Sequence, residues 1–132
     1  MKTVDCVALI ILKEGILLVE KRRSDRATDP GVVAVPGGHV KAGESLESAC
    51  RRELEEELDL QCNSYHKVGF MLWTTPVEVQ RVHYFHCVDW KGEPKPREAE
   101  AVFFIGADSL HMIDIAEERE VLENFFSQRI AY

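Results

Sequence analysis

The stretch from Gly38 to Leu60 constrains this chain more than any other. Leu46, Ala49, Cys50, Leu54 and Leu58 recur at helical spacing and form one apolar stripe. Ser45 is placed to cap the first turn, because its hydroxyl can accept from a free amide there. The spacing predicts a helix from about Leu46 to about Leu58, entered from a Pro36-Gly37-Gly38 turn. Any fold must bury the stripe and still find room for six glutamates, Glu44, Glu47, Glu53, Glu55, Glu56 and Glu57.

Residues three and four apart share a helix face, so Glu53, Glu56 and Glu57 are expected to project together, opposite the stripe. Three carboxylates on one face repel, and near a helix C-terminus the backbone dipole disfavours them further. Arg52 can meet Glu56 at i,i+4. A free carbonyl from the Gly37-Gly38 turn can join the carboxylates, and that oxygen set suits hard Mg²⁺ or Mn²⁺. The competing reading is an acidic face that is only solvated.

The rest of the chain reads as strands. Val4 to Leu12 and Ile16 to Arg22 are apolar runs separated by Glu14-Gly15, which predicts a hairpin. Ser24 to Gly31 reads as a loop and Val32 to Val35 as a short strand. Val68 to Thr75 and Val77 to Trp90 are strand-like around Pro76, and Glu100 to Ile105 is another strand. Asp108 to His111 suggests a single helical turn. Asp114 to Ile130 predicts an amphipathic helix with Ile115, Leu122, Phe125, Phe126 and Ile130 on its apolar side. The class is α/β (α+β), a mixed sheet with helices on both faces.

With 132 residues, 45% of them hydrophobic, the chain suits one domain over residues 1–132. A net charge of −7 argues against a nucleic acid polymer as partner, but not against a small anion once a cation has reversed the local sign. Cys6, Cys50, Cys62 and Cys87 have no metal-site spacing and read as reduced thiols, which with the absence of a signal peptide predicts a cytoplasmic protein. No run reaches membrane-span length, so no membrane partner is expected. A monomer or homodimer is expected.

Gly38, Glu44, Arg52, Glu53, Leu54, Glu56, Glu57 and Leu60 fit the pattern G-x5-E-x7-R-E-U-x-E-E-x-G-U, with U a bulky aliphatic. That is the Nudix box, and the chain resembles a small MutT-like Nudix hydrolase. One position departs: Asp59 stands where the pattern has glycine. Asp is among the few residues that tolerate the left-handed conformation a helix C-terminus asks for there.

The resemblance implies an α/β/α sandwich whose mixed sheet is flanked by the central helix and a C-terminal helix. It implies Mg²⁺- or Mn²⁺-dependent hydrolysis of the diphosphate linkage in a nucleoside diphosphate derivative, by water attack on phosphorus. Glu56 and Glu57 look like metal ligands with Glu53 as a third, and the Gly37 or Gly38 carbonyl completes the set. Arg52 looks like the partner that orients the carboxylates, and Glu44 a supporting acid at the substrate side. The general base is Glu53 in some branches and a late-loop glutamate in others, here Glu98 or Glu100. Arg22 and Arg23 are candidate phosphate contacts, and Trp73 and Tyr84 candidate surfaces for a base. Pro76 resembles a proline of ADP-ribose pyrophosphatases, and Arg22 to Gly38 partly resembles coenzyme A-type members. Nucleoside triphosphates, ADP-ribose and nucleotide sugars all remain open as substrates. A catalytically silent nucleotide-binding domain is the rival; it should have lost Arg52, Glu53, Glu56 or Glu57, and all four are present.

Overall fold

Strand β1 (Thr3–Ile10) is buried on both faces, and the alternation of its side chains sorts the molecule into two cores. Cys6, Ala8 and Ile10 point into one core, and Val7 and Leu9 into the other. The computed structural model that shows this describes residues 1–130; of Ile130, expected on an apolar helix face, only the backbone is described.

After β1 come β2 (Leu12–Lys13), β3 (Ile16–Lys21), β4 (Val33–Ala34) and β5 (Gly37–His39). Helix α1 (Leu46–Glu53) runs on into a wider π turn at Leu54–Leu58. Then follow β6 (Ser64–Thr74), β7 (Val79–Val88), β8 (Ala101–Ile105), a 3₁₀ segment at Ala107–Met112 and α2 (Ala116–Ile130). The strands form two four-stranded sheets. One has the order β5-β1-β7-β6 and is mixed, with β1 parallel to β7 and the other pairs antiparallel. In the other, β3 pairs antiparallel with β2, β4 and β8.

Each helix covers one core. Ala49 and Cys50 of α1, with Leu54 and Leu58 of the π turn, pack on Val7, Leu9, Phe85 and Cys87. Leu122, Phe125 and Phe126 of α2 pack on Ala8, Ile10, Val82 and Tyr84. This is the expected helix–sheet–helix sandwich.

Three expectations change. The Pro36-Gly37-Gly38 stretch is not a turn, because Gly37–His39 pairs with β1 as strand β5. The hairpin is confined to Leu12–Lys13 against Ile16–Leu17, while β1 joins the other sheet between β5 and β7. Both apolar runs are two-sided, so their periodicity could not say which partner each would take. Strand β6 begins at Ser64 rather than Val68; of its first four residues only Tyr65 is buried, and His66 and Lys67 face solvent on a sheet edge, so no apolar pattern marks the start.

All four cysteines are free and buried. Among the described residues no helix is long and apolar enough to cross a membrane.

Candidate functional site

The helix starts and ends in ways that aim its acids. Ser45 caps it, its hydroxyl accepting from the Ser48 amide at 3.1 Å. At the other end the π turn leaves carbonyls without helical partners. The segment between β7 and β8 supplies them: the Lys95 amide donates to the Leu58 carbonyl at 3.0 Å and the Arg97 amide to the Glu57 carbonyl at 3.1 Å. That docking sets Glu98 beside the helix. Asp59 takes the left-handed conformation, φ 59° and ψ 37°, as the sequence suggested. Its carboxylate pairs with Lys95 at 3.3 Å and Arg97 at 3.1 Å, which fastens the same segment.

Carboxylate oxygens of Glu53, Glu57 and Glu98 consequently lie within 4.8 Å of one another. Glu53 and Glu57 are buried, at 7% and 4% exposure. Glu56 lines the same cavity but its side chain is 46% exposed, turned out toward Arg52. The expectation that Glu53, Glu56 and Glu57 converge is thus corrected. The pair four residues apart turns inward together, and the third inward carboxylate comes from the loop.

Arg52 binds nearly every group around the box. It donates to both oxygens of Glu44 (2.7 and 2.9 Å), to Glu53 (2.7 Å), to Glu56 (3.1 Å) and to the His39 carbonyl (2.8 Å). Hydrogen bonds from Arg52 and from the Lys41 amide hold the Glu44 carboxyl down at about 2. Burial pushes Glu53 up, and burial followed by the charge of Glu20 pushes Glu57 well up.

Strand β5 closes the site from the sheet side. Leu9 donates to the Pro36 carbonyl and Val40 to the Asp5 carbonyl. Bonded pairs alternate in an antiparallel ladder, so Val7 and Gly38 form the bonded pair between them, and the Gly37 peptide faces away from β1. There its N–H donates to Glu57 at 3.1 Å. Neither glycine has room for a side chain unless a neighbour moves. A Cβ on Gly37 would lie 2.2 Å from the Val7 carbonyl oxygen, and one on Gly38 2.4 Å from a Glu53 oxygen. Gly38→Ala should therefore leave the fold intact and displace the Glu53 carboxylate, lowering turnover on the order of 100-fold. Gly37→Ala, which meets backbone, should cost about 2 kcal/mol of stability. Paired thermal melts and rate assays separate the two effects.

The carboxylates form one wall of a cavity of about 520 Å³, within the usual range for small-molecule sites. Arg22 and Arg26 also line it. Arg22 donates to the Thr28 carbonyl and hydroxyl, and Arg26 reaches Glu98 at 3.6 Å. Trp73 lines it as well, with its indole N–H on both oxygens of Asp29 at 3.1 and 3.2 Å.

Four expected residues lie elsewhere. Tyr84 is fully buried on the α2 side, its hydroxyl donating to Glu118 at 2.7 Å, so it offers no surface to a base. Arg23 points outward and pairs with Asp25. Glu100 pairs with Lys21 on the surface at 3.3 Å, and its amide joins the Lys21 carbonyl. Glu44 is consumed by Arg52 and does not line the cavity.

Sequence reasoning missed Glu20, Arg26, Asp29 and Glu118. Two of them had a signal, a lone acid among apolar neighbours: Glu20 ends the buried run of β3, and Glu118 shares a helix face with Ile115 and Leu122. Glu118 accepts from Tyr84 and from the Val35 amide at 3.1 Å, and burial pushes its carboxyl up to about 7. The folded state then holds a proton that the unfolded chain has released above the ordinary value of 4.5. Stability should fall between those two values as pH rises and level off above 7. Glu118→Gln should shrink the difference between melting temperatures at pH 5 and pH 8 by the equivalent of about 2–3 kcal/mol.

A family model described as the NUDIX domain matches residues 1–125. The chain belongs to that family. It is similar to the CTP pyrophosphohydrolase of Escherichia coli strain K12, with 28% identity across 99% of this chain and 97% of that protein. It is 40% identical to an oxidized purine nucleoside triphosphate hydrolase of Danio rerio over 44% of this chain and 38% of that protein. With the 8-oxo-dGTP diphosphatase of Haemophilus influenzae the identity is 32%, over 57% of this chain and 55% of that one. The matched segment thus spans about two-fifths to just over half of the last two relatives, and nearly all of the first. Among solved structures, the E. coli ORF135 protein superposes with a TM-score of 0.83 at 26% identity, covering 99% of this chain and 94% of that one. The MutT NUDIX hydrolase of Burkholderia pseudomallei also gives 0.83 at 26%, covering 94% and 98%. NUDIX hydrolases generally need a divalent metal.

Proposed function

We propose that the protein is a divalent-metal-dependent hydrolase of the diphosphate linkage in a small nucleotide, using Mg²⁺ or Mn²⁺. The observation that carries this is the convergence of Glu53, Glu57 and Glu98 on one wall of a cavity that Arg22 and Arg26 also line. Glu53 and Glu57, with the Gly37 carbonyl on the same side of β5 as its N–H, are the hard oxygen donors that such ions prefer, so the residues fit the ion. When bound, the ion offsets the diphosphate charge and activates the attacking water.

The chain's own residues do the rest. Glu53 and Glu57 are rigid, one locked by Arg52 and the other by the Gly37 amide, and they fix the position of the reacting centre. Glu98 is held only by Arg26 at 3.6 Å and its side chain is 42% exposed, so it is free to turn toward water and acts as the general base. Arg22 and Arg26 take the phosphate oxygens. Trp73, Met71 and Val82 form an apolar slot for the base. The slot and the nearly full-length likeness to a CTP pyrophosphohydrolase favour nucleoside triphosphates over ADP-ribose or nucleotide sugars.

The test is a screen of the purified protein with Mg²⁺ against the (d)NTPs, ADP-ribose, NADH, dinucleoside polyphosphates and coenzyme A. Pyrophosphate and a nucleoside monophosphate are expected from the triphosphates. Saturable nucleotide binding without any hydrolysis would instead establish the silent domain. Glu98→Gln should lower turnover about 100-fold with Mg²⁺ affinity largely kept. If Glu53→Gln shows that separation and Glu98→Gln does not, the base is Glu53.

A further inference from the structure

Glu20 places a charge where strands normally carry apolar residues. Leu17, Leu18 and Val19 before it on β3 are fully buried, and Glu20 itself is only 4% exposed. It lines the cavity that also holds Glu53, Glu57 and Glu98. Among the described residues no hydrogen bond or ion pair engages its carboxylate. Among the described residues no completely sealed side-chain oxygen lacks a partner, so the oxygens of Glu20 are the part of it that the cavity reaches.

Glu118 shows what a buried structural acid looks like in this fold, with both of its oxygens occupied by protein donors. Glu20 has no such donors. The nearby arginines are engaged elsewhere, Arg22 by Thr28 and Arg26 by Glu98. Arg52 is saturated by Glu44, Glu53, Glu56 and His39. A buried carboxylate without a partner is a large cost that a bound cation removes.

We propose that Glu20 is a ligand for a second divalent cation, held between β3 and the Glu53–Glu57–Glu98 cluster. The proposal rests on the hydrolase reading and extends it. Charge supports it: Arg52 is shared by Glu44, Glu53 and Glu56, and Arg26 meets Glu98, which leaves the negative charge of Glu57 and Glu20 without an ion-pair partner among the described residues of the same cavity. A diphosphate entering that cavity brings more still, which a second cation offsets.

Electron paramagnetic resonance titration of Mn²⁺, with methylenediphosphonate as a non-hydrolysable diphosphate, tests this directly. Wild-type protein should bind two Mn²⁺ per chain. Glu20→Gln, of nearly the same shape, should bind one, with the affinity of that remaining site unchanged. Glu20→Asp should keep the second ion at reduced affinity, and it decides the matter if Glu20→Gln proves unfolded by near-ultraviolet circular dichroism. Equal stoichiometry and affinity in wild type and the Glu20 variants would overturn the role of Glu20 and leave the hydrolase reading standing. A wild-type protein that binds no Mn²⁺ would overturn both.

Discussion

Glu57→Gln is expected to lower turnover at saturating Mg²⁺ by about 1,000-fold, equivalent to about 4 kcal/mol of transition-state stabilisation. Glu57 is the most buried of the three clustered carboxylates, and the others are arranged around it. Glutamine keeps the shape and can still accept from the Gly37 amide, so the local backbone should hold. Without metal the variant should melt no lower than wild type, because a buried charge beside Glu20, Glu53 and Glu98 is a cost that glutamine removes. Adding Mg²⁺ should reverse the order. Wild type gains about 2.7 kcal/mol at a hundredfold excess over Kd, and the variant gains little. Melting curves with and without Mg²⁺ then read the site independently of catalysis. A variant with activity within tenfold of wild type would remove Glu57 from the metal site.

How much of this could be read from the chain follows from the range of the interactions involved. The helix from Leu46 to Leu58 was legible because its stripe is local, and Ser45 and Asp59 mark its ends. The widening of its last turn was not legible, since Leu54 to Leu58 carry the same residue types whichever way the backbone closes. The turn is held by Lys95 and Arg97, far along the chain, and it decides that Glu57 points in and Glu56 out. For the same reason Glu98 and Glu100 could not be separated by sequence. One is delivered by the docking of its neighbours on the helix end, while the other's amide is tied to β3. Tyr84 could be placed in a strand, but its side depends on α2 covering that face with Leu122 and Phe125. The site is therefore partly local, in the box, and partly long-range, in Glu20, Arg26, Glu98 and Glu118.

Arg52→Ala should be the most damaging single change to stability around the box, at about 3 kcal/mol or roughly 10 °C in Tm. The guanidinium ties together three segments: the turn carrying Glu44, the end of β5 at His39, and the helix at Glu53 and Glu56. Its side chain is 18% exposed and those of Glu44 and Glu53 are 15% and 9%, so water cannot fully replace it. Arg52→Lys keeps the charge but not the planar fork, and should recover only part of the loss. The pH dependence identifies the source. Glu44 titrates at about 2 in the folded protein against an ordinary 4.5, so its pairing stabilises above 4.5 and is lost as pH falls toward 2. In Arg52→Ala the larger part of that contribution is gone, and only the Lys41 amide still holds Glu44. The Tm gap between wild type and variant should be widest above pH 4.5 and narrow steadily below it. A gap that stays constant down to pH 3 would mean that packing of the arginine stem, rather than its hold on Glu44, carries the effect.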